Sequence, residues 1–147
     1  MFCSLLAYIL AEQGQAVYAI DADPCATLAS ALGFPRELAQ QVAPIVAMAD
    51  LIEERTGARP GQIRAYFRMN PRVDDIPERF SVSHRGIRLM RMGTVRGAGA
   101  GCVCPENTML RALVSHLWLR QKETVIMDMV AGLGPLGGAT ATAVDVM

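Results

Sequence analysis

Two short apolar runs, each closed by an acid, constrain this chain more than any other feature. The first is Ala16-Val17-Tyr18-Ala19-Ile20, followed by Asp21-Ala22-Asp23-Pro24. The second is Thr124-Val125-Ile126-Met127-Asp128. A run with no polar alternation is what a strand needs when both of its faces are buried, and such strands belong to parallel sheets. Gly86 to Met92, with Ile87, Leu89 and Met90 apolar, reads as another strand. Between these runs the apolar spacing turns helical. Leu5, Leu6, Ile9 and Leu10 share one face of a helix over 4–13 that stops at Gly14, and a short helix over 26–32 stops at Gly33. Met48 to Thr56 predicts an amphipathic helix ended by Gly57. Pro105 suits the first position of a helix, since its missing N–H has no partner to lose there. Met109, Leu110, Leu113, Leu117 and Leu119 then carry that helix to about residue 121.

The rest is less regular. The segment from Phe34 to Arg85 reads as an insertion, with 70–77 a loop punctuated by prolines and acids. Gly93 to Gly101 and Gly132 to Gly138 are glycine-rich loops, and Thr140 to Val144 opens a further helix. Alternating strands and helices predict a three-layer α/β fold with a mainly parallel sheet.

Composition narrows the function classes. The 147 residues are 52% hydrophobic and 19% charged, with 14 basic and 14 acidic side chains. A balanced charge excludes the basic footprint of a dedicated nucleic-acid binder and a polybasic membrane clamp. No apolar run approaches the roughly 20 residues of a membrane span. The apolar start, Met1 to Ala7, lacks the charged region and cleavage site of a signal peptide. The reducing cytosol is therefore the expected compartment, where thiols stay free or bind metal. Lys122 is the one lysine in the chain.

In open α/β sheets, ligands bind beyond the carboxyl ends of the strands. Acids that end two neighbouring strands are placed to hold magnesium or orient a water, where a single one would merely cap a loop. Cys102 and Cys104 offer two thiolates at i and i+2, at the expected start of the helix opened by Pro105. The helix dipole there favours thiolate over thiol, and soft thiolates suit zinc, nickel or copper(I). Two ligands leave a tetrahedral site half filled, so a two-fold dimer would complete it. The plain alternative is two unreactive thiols. Cys3 and Cys25 read as small apolar fillers, His116 as a packing or surface residue, and His84 as a loop residue.

These residues together resemble a known family. Asp21-Ala22-Asp23-Pro24 is similar to switch I of the deviant-Walker ATPases, the group of MinD, ParA and the nitrogenase iron protein, and Asp128-Met129-Val130-Ala131-Gly132 to their Walker B and switch II. Leu51 to Gly57, Asn70 to Pro77, Met92 to Val95 and above all Gly101-Cys102-Val103-Cys104-Pro105-Glu106-Asn107 resemble one branch. That branch is the CooC-type accessory ATPase for nickel insertion into carbon monoxide dehydrogenase. The resemblance spans nearly the whole chain. It implies a P-loop NTPase fold, a homodimer, and ATP with magnesium bound between subunits. It also implies that Asp23 positions the attacking water, that Asp128 and Gly132 serve the nucleotide, and that Cys102 and Cys104 carry nickel or zinc.

Two features depart from that pattern. The Gly-Lys-Gly-Gly-x-Gly-Lys-Thr loop, whose amides and lysine cradle phosphates, is missing. The Glu-His pair expected in switch II is Gly134-Pro135 here. The chain is thus expected to be a partial ATPase domain over 1–147, truncated at both ends, with an insertion near 34–85 and a metal loop near 93–104, and to hydrolyse no ATP by itself. A decayed paralogue is the other explanation. Two further readings stay open: another ATPase of the same group, and a non-enzymatic metal-binding dimerisation module.

Overall fold

The computed structural model describes residues 2–23, 25–62, 66, 68–93, 104–118 and 123–129; for Cys104, Asn107 and Trp118 it describes the backbone alone. Within them, strands β1 (Ala16–Asp21), β2 (Val82–His84), β3 (Ile87–Arg91) and β4 (Glu123–Asp128) form a single sheet in the order β2-β3-β1-β4. β1 runs parallel to β3 on one side and to β4 on the other. The sheet is therefore mainly parallel, as the apolar runs require, with β2 as an antiparallel edge. β4 pairs on one side only among the described residues.

Helices cover both faces. α1 (Phe2–Glu12), α2 (Leu28–Ala31) and α3 (Arg36–Gln41) lie on one side. There Val17, Ala19, Ile87, Leu89 and Ile126 of the sheet meet Ala7, Leu28 and Leu32. α4 (Ala49–Thr56), α5 (Ile76–Arg79) and α6 (Cys104–Trp118) lie on the other. There Tyr18, Ile20 and Met90 meet Ile52, Ile76, Met109, Leu113 and Leu117. Successive residues of β1 feed opposite cores because side chains alternate across a strand. This alternation explains why the run at 17–20 has no polar position to spare. The face of α1 that bears Phe2, Leu5 and Ile9 stays uncovered, at 78%, 58% and 53% exposure.

Four of the sequence expectations shift, one of them at Cys25, which is exposed rather than an apolar filler. Residues 70–77 are not loop throughout, because Asp75 leads into α5, with Pro77 tolerated in its first turn. The insertion carries α3 and a 3₁₀ turn at Ile45–Ala47 that its weak periodicity hides. His84 lies in β2 rather than in a loop, its ring 5.3 Å from that of Phe34. α4 ends as expected, with Gly57 in the left-handed conformation at φ 83°. The proposed metal-loop residues 94–103 and the loop and helix expected at 132–144 lie outside the described residues.

Candidate functional site at the carboxyl edge of the sheet

Parallel pairing puts the ends of β1, β3 and β4 at one edge. In the β1–β4 register, Asp21 is the direct partner of Asp128. The exits are laced by backbone hydrogen bonds. The Ala22 amide donates to the Asp128 carbonyl at 2.9 Å, and the Met92 amide donates to the Asp21 carbonyl at 2.8 Å. The Val46 amide in turn donates to the Met92 carbonyl at 3.1 Å, so the 3₁₀ turn sits on the end of β3. Gly93 follows at φ +78°, and a Cβ there would lie 2.6 Å from Val46 Cγ2 and 2.9 Å from Pro44 Cβ.

The two paired acids do different work. Asp21 is 1% exposed. Its Oδ1 accepts from the Asp23 amide and its Oδ2 from the Leu28 amide, each at 3.2 Å. Both oxygens are occupied by the turn that leads into α2, so Asp21 shapes the loop. Burial pushes its carboxyl above the usual carboxylate range, against the pull of those two amides and of Arg91. Asp128 is half-buried, and the hydrogen bond recorded for its carboxylate comes from the Cys3 thiol, Sγ to Oδ1 at 3.6 Å. Among the described residues that thiol is its one side-chain partner, and a carboxylate is the kind of group that a hard cation or its water shell takes. Burial first, and then the Asp128 charge, raise the Cys3 thiol above its ordinary range. Asp23 lies two residues beyond the end of β1, half-buried, with Oδ1 accepting from the Cys25 amide at 2.7 Å.

The structure therefore brings Asp21, Asp23 and Asp128 to one edge. Asp21, read only as one acid of its motif, and Cys3, read as an apolar filler, are the residues to which sequence reasoning gave no part of their own here. The signal for Asp21 was present, since it ends the apolar run itself. Cys3 had none, because its closeness to Asp128 spans 125 positions. Gly132 and Cys102 lie outside the described residues. Cys104 does open α6, and Pro105 behind it is buried. Among the described residues no three His, Cys, Asp or Glu side chains gather as a metal site, and no helix is long and apolar enough to cross a membrane.

Asp128 brings a single carboxylate of the kind magnesium takes, with no cluster of metal-binding side chains around it among the described residues. The residues present do not fit a triphosphate, because the chain contains no glycine loop with a lysine.

No protein-family model matches the chain. It is 50% identical, over 97% of its length, to the carbon monoxide dehydrogenase accessory protein CooC of Rhodospirillum rubrum, of which it covers 54%. It is 41% identical, over 98% of its length, to an uncharacterized ATP-binding protein of Methanocaldococcus jannaschii, again covering 54% of it. A second ATP-binding protein of that organism is 30% identical over 99% of the chain. The chain thus spans about half the length of the curated relatives it matches. The resemblance read from its motifs holds along nearly all of it.

Proposed function

We propose, from the premise that this chain is similar throughout to a carbon monoxide dehydrogenase accessory protein, that it forms part of an ATPase that inserts nickel into that enzyme. The observation that carries this reading is the pairing of Asp21 with Asp128 at the carboxyl edge. One acid braces the loop bearing Asp23, and the other would take the cation. In the whole protein, Asp128 would hold magnesium through its water shell and Asp23 would orient the attacking water. Magnesium would supply charge neutralisation on the phosphates. Gly132 would serve the nucleotide together with Asp128. Nickel is cargo in this scheme, carried with zinc as its substitute by Cys102 and Cys104, and two chains would supply four thiolates in a cytosolic homodimer. Nucleic acid and membrane are not among the proposed partners.

The 147-residue chain by itself is proposed to hydrolyse no ATP, because its sequence lacks the lysine and glycine loop. That same lack favours a second reading, a metal-binding dimerisation module without nucleotide. Metal analysis by mass spectrometry with sedimentation tests the shared core of both. About one zinc or nickel per dimer is expected, lost together with the dimer when Cys102 and Cys104 are changed to alanine. Metal retained by that double variant would overturn the proposal. A Gly-Lys-Gly-Gly-x-Gly-Lys-Thr loop encoded in frame upstream of Met1 separates the two readings, because only the first expects one.

A further inference from the structure

Among the described residues, two that are not glycine hold a positive φ, Ala26 at 49° and Arg85 at 50°. Arg85 has an ordinary reason, since it turns the hairpin between β2 and β3. Ala26 has none of that kind. It lies between β1 and α2, where a Cβ in the left-handed region carries a cost that the surroundings must offset. Packing does not hold it there, because Cys25 and Thr27 on either side are exposed. Hydrogen bonds do. The Ala26 amide donates to the Asp23 carbonyl at 3.1 Å. The Asp21 carboxylate then grips both ends of the segment, the Asp23 amide through Oδ1 and the Leu28 amide through Oδ2. Leu28 is the first residue of α2, so its amide has no helical acceptor of its own. One side chain thus fixes the strained residue from both sides. The Ala22 amide is tied to the Asp128 carbonyl, so the sheet holds as far as Ala22 and what Asp21 grips lies beyond it.

We propose that the segment bearing Asp23 is a latch, with Asp21 as its catch and Ala26 as its spring, which opens locally and carries Asp23 off the carboxyl edge while the sheet stays folded. Opening breaks the two hydrogen bonds to Asp21, but it lets Ala26 leave the left-handed region. That relief offsets part of the loss, so the segment opens more readily than a relaxed turn with the same bonds. The latch decides whether Asp23 stands beside Asp128, and it does so whatever Asp23 orients there. The proposal is independent of the nucleotide and metal readings.

The test is hydrogen exchange of the purified chain, followed amide by amide in nuclear magnetic resonance and corrected for intrinsic rates. The Leu28 amide reports the catch, and the amides of β1, a strand paired on both sides, report opening of the whole fold. Leu28 should exchange well before β1. A26G removes the left-handed cost and keeps every hydrogen bond, so it should slow Leu28 by about fivefold relative to β1. D21N should speed Leu28 relative to β1. R85G relieves the other positive φ and should leave that ratio as in the parent. If D21N does not fold, A26G and R85G decide alone. Exchange of Leu28 in step with β1 in the parent chain would overturn the proposal, because the segment would then open only with the whole fold. An unchanged ratio in A26G would also overturn it, because Ala26 would then store nothing.

Discussion

Asp21 and Asp128 face each other as paired residues of adjacent parallel strands, yet backbone amides engage both carboxylate oxygens of the first while the Cys3 thiol touches the second. The pair divides one edge of the sheet between a structural acid and an available one.

Asp21→Asn should therefore act on stability. The variant keeps the shape but sets an NH₂ against one of two amides that need an acceptor. A loss of about 1–3 kcal/mol is expected, read as a lower denaturant midpoint with unchanged slope. Asp128→Asn should cost far less by the same measurement.

Cys3 reports on Asp128 directly. Since the Asp128 charge helps hold the Cys3 thiol above its ordinary range, Asp128→Asn should lower that titration and speed alkylation of Cys3 near pH 8. Mass spectrometry of iodoacetamide-treated protein follows it, with exposed Cys25 as the internal reference. An unchanged Cys3 rate would separate the two groups.

Acid should draw out two opposite contributions. Asp74, bound by Arg72, titrates at about 2 when folded, below its unfolded value of 3.8. Its contribution is present above pH 3.8 and is lost as pH falls toward 2. Asp21 runs the other way. Its folded value is raised mainly by burial, so its favourable share is full below pH 3.8 and is lost as pH rises through the folded value. Asp74→Asn should flatten the acid limb of a stability–pH curve measured by urea unfolding. Because Asp74 is solvent-exposed, the change should be small and screened by salt.

Gly93→Ala should destabilise by about 1–3 kcal/mol, since it adds a strained positive φ to a methyl pressed against Val46 and Pro44. Gly57→Ala is the control. It shares the positive φ, but nothing lies within 4 Å of the added carbon, so about 1 kcal/mol is expected. Thermal unfolding of the two variants should rank them in that order.

In the core, Leu113 is fully buried between α6 and the sheet. Leu113→Ala should cost about 2–5 kcal/mol, a fall in midpoint readable by circular dichroism.

The three parallel strands and α6 were legible because each carries its own signal. β1 and β4 are apolar runs closed by acids, β3 carries Ile87, Leu89 and Met90 between glycines, and α6 has a proline near its start and leucines at helical spacing. β2 was not legible. It is three residues long, and the hairpin joining it to β3 turns on Arg85 and Gly86 at φ 50° and 77°. Such two-residue turns are usually announced by Asn-Gly or Asp-Gly, and an arginine in that place conceals it. α5 was concealed by Pro77, which reads as a breaker until Asp75 is seen to precede it. At the site, the motif pointed to Asp23, whereas the pairing that gives the edge its division of labour belongs to Asp21. Sequence shows which residues end strands, but only the register shows which of them meet.

The backbone lacing of the strand exits has a mechanical consequence. Because the Ala22 amide is tied to the Asp128 carbonyl, the Met92 amide to the Asp21 carbonyl and the Val46 amide to the Met92 carbonyl, the exits form a chain of couplings rather than independent hinges. A pull on the segment after β1 loads the end of β4 directly, and through the carbonyl of Asp21 it loads Met92 at the end of β3 and the 3₁₀ turn behind it. Strain introduced at either acid would thus be shared along the whole rim of the sheet before any single loop could yield.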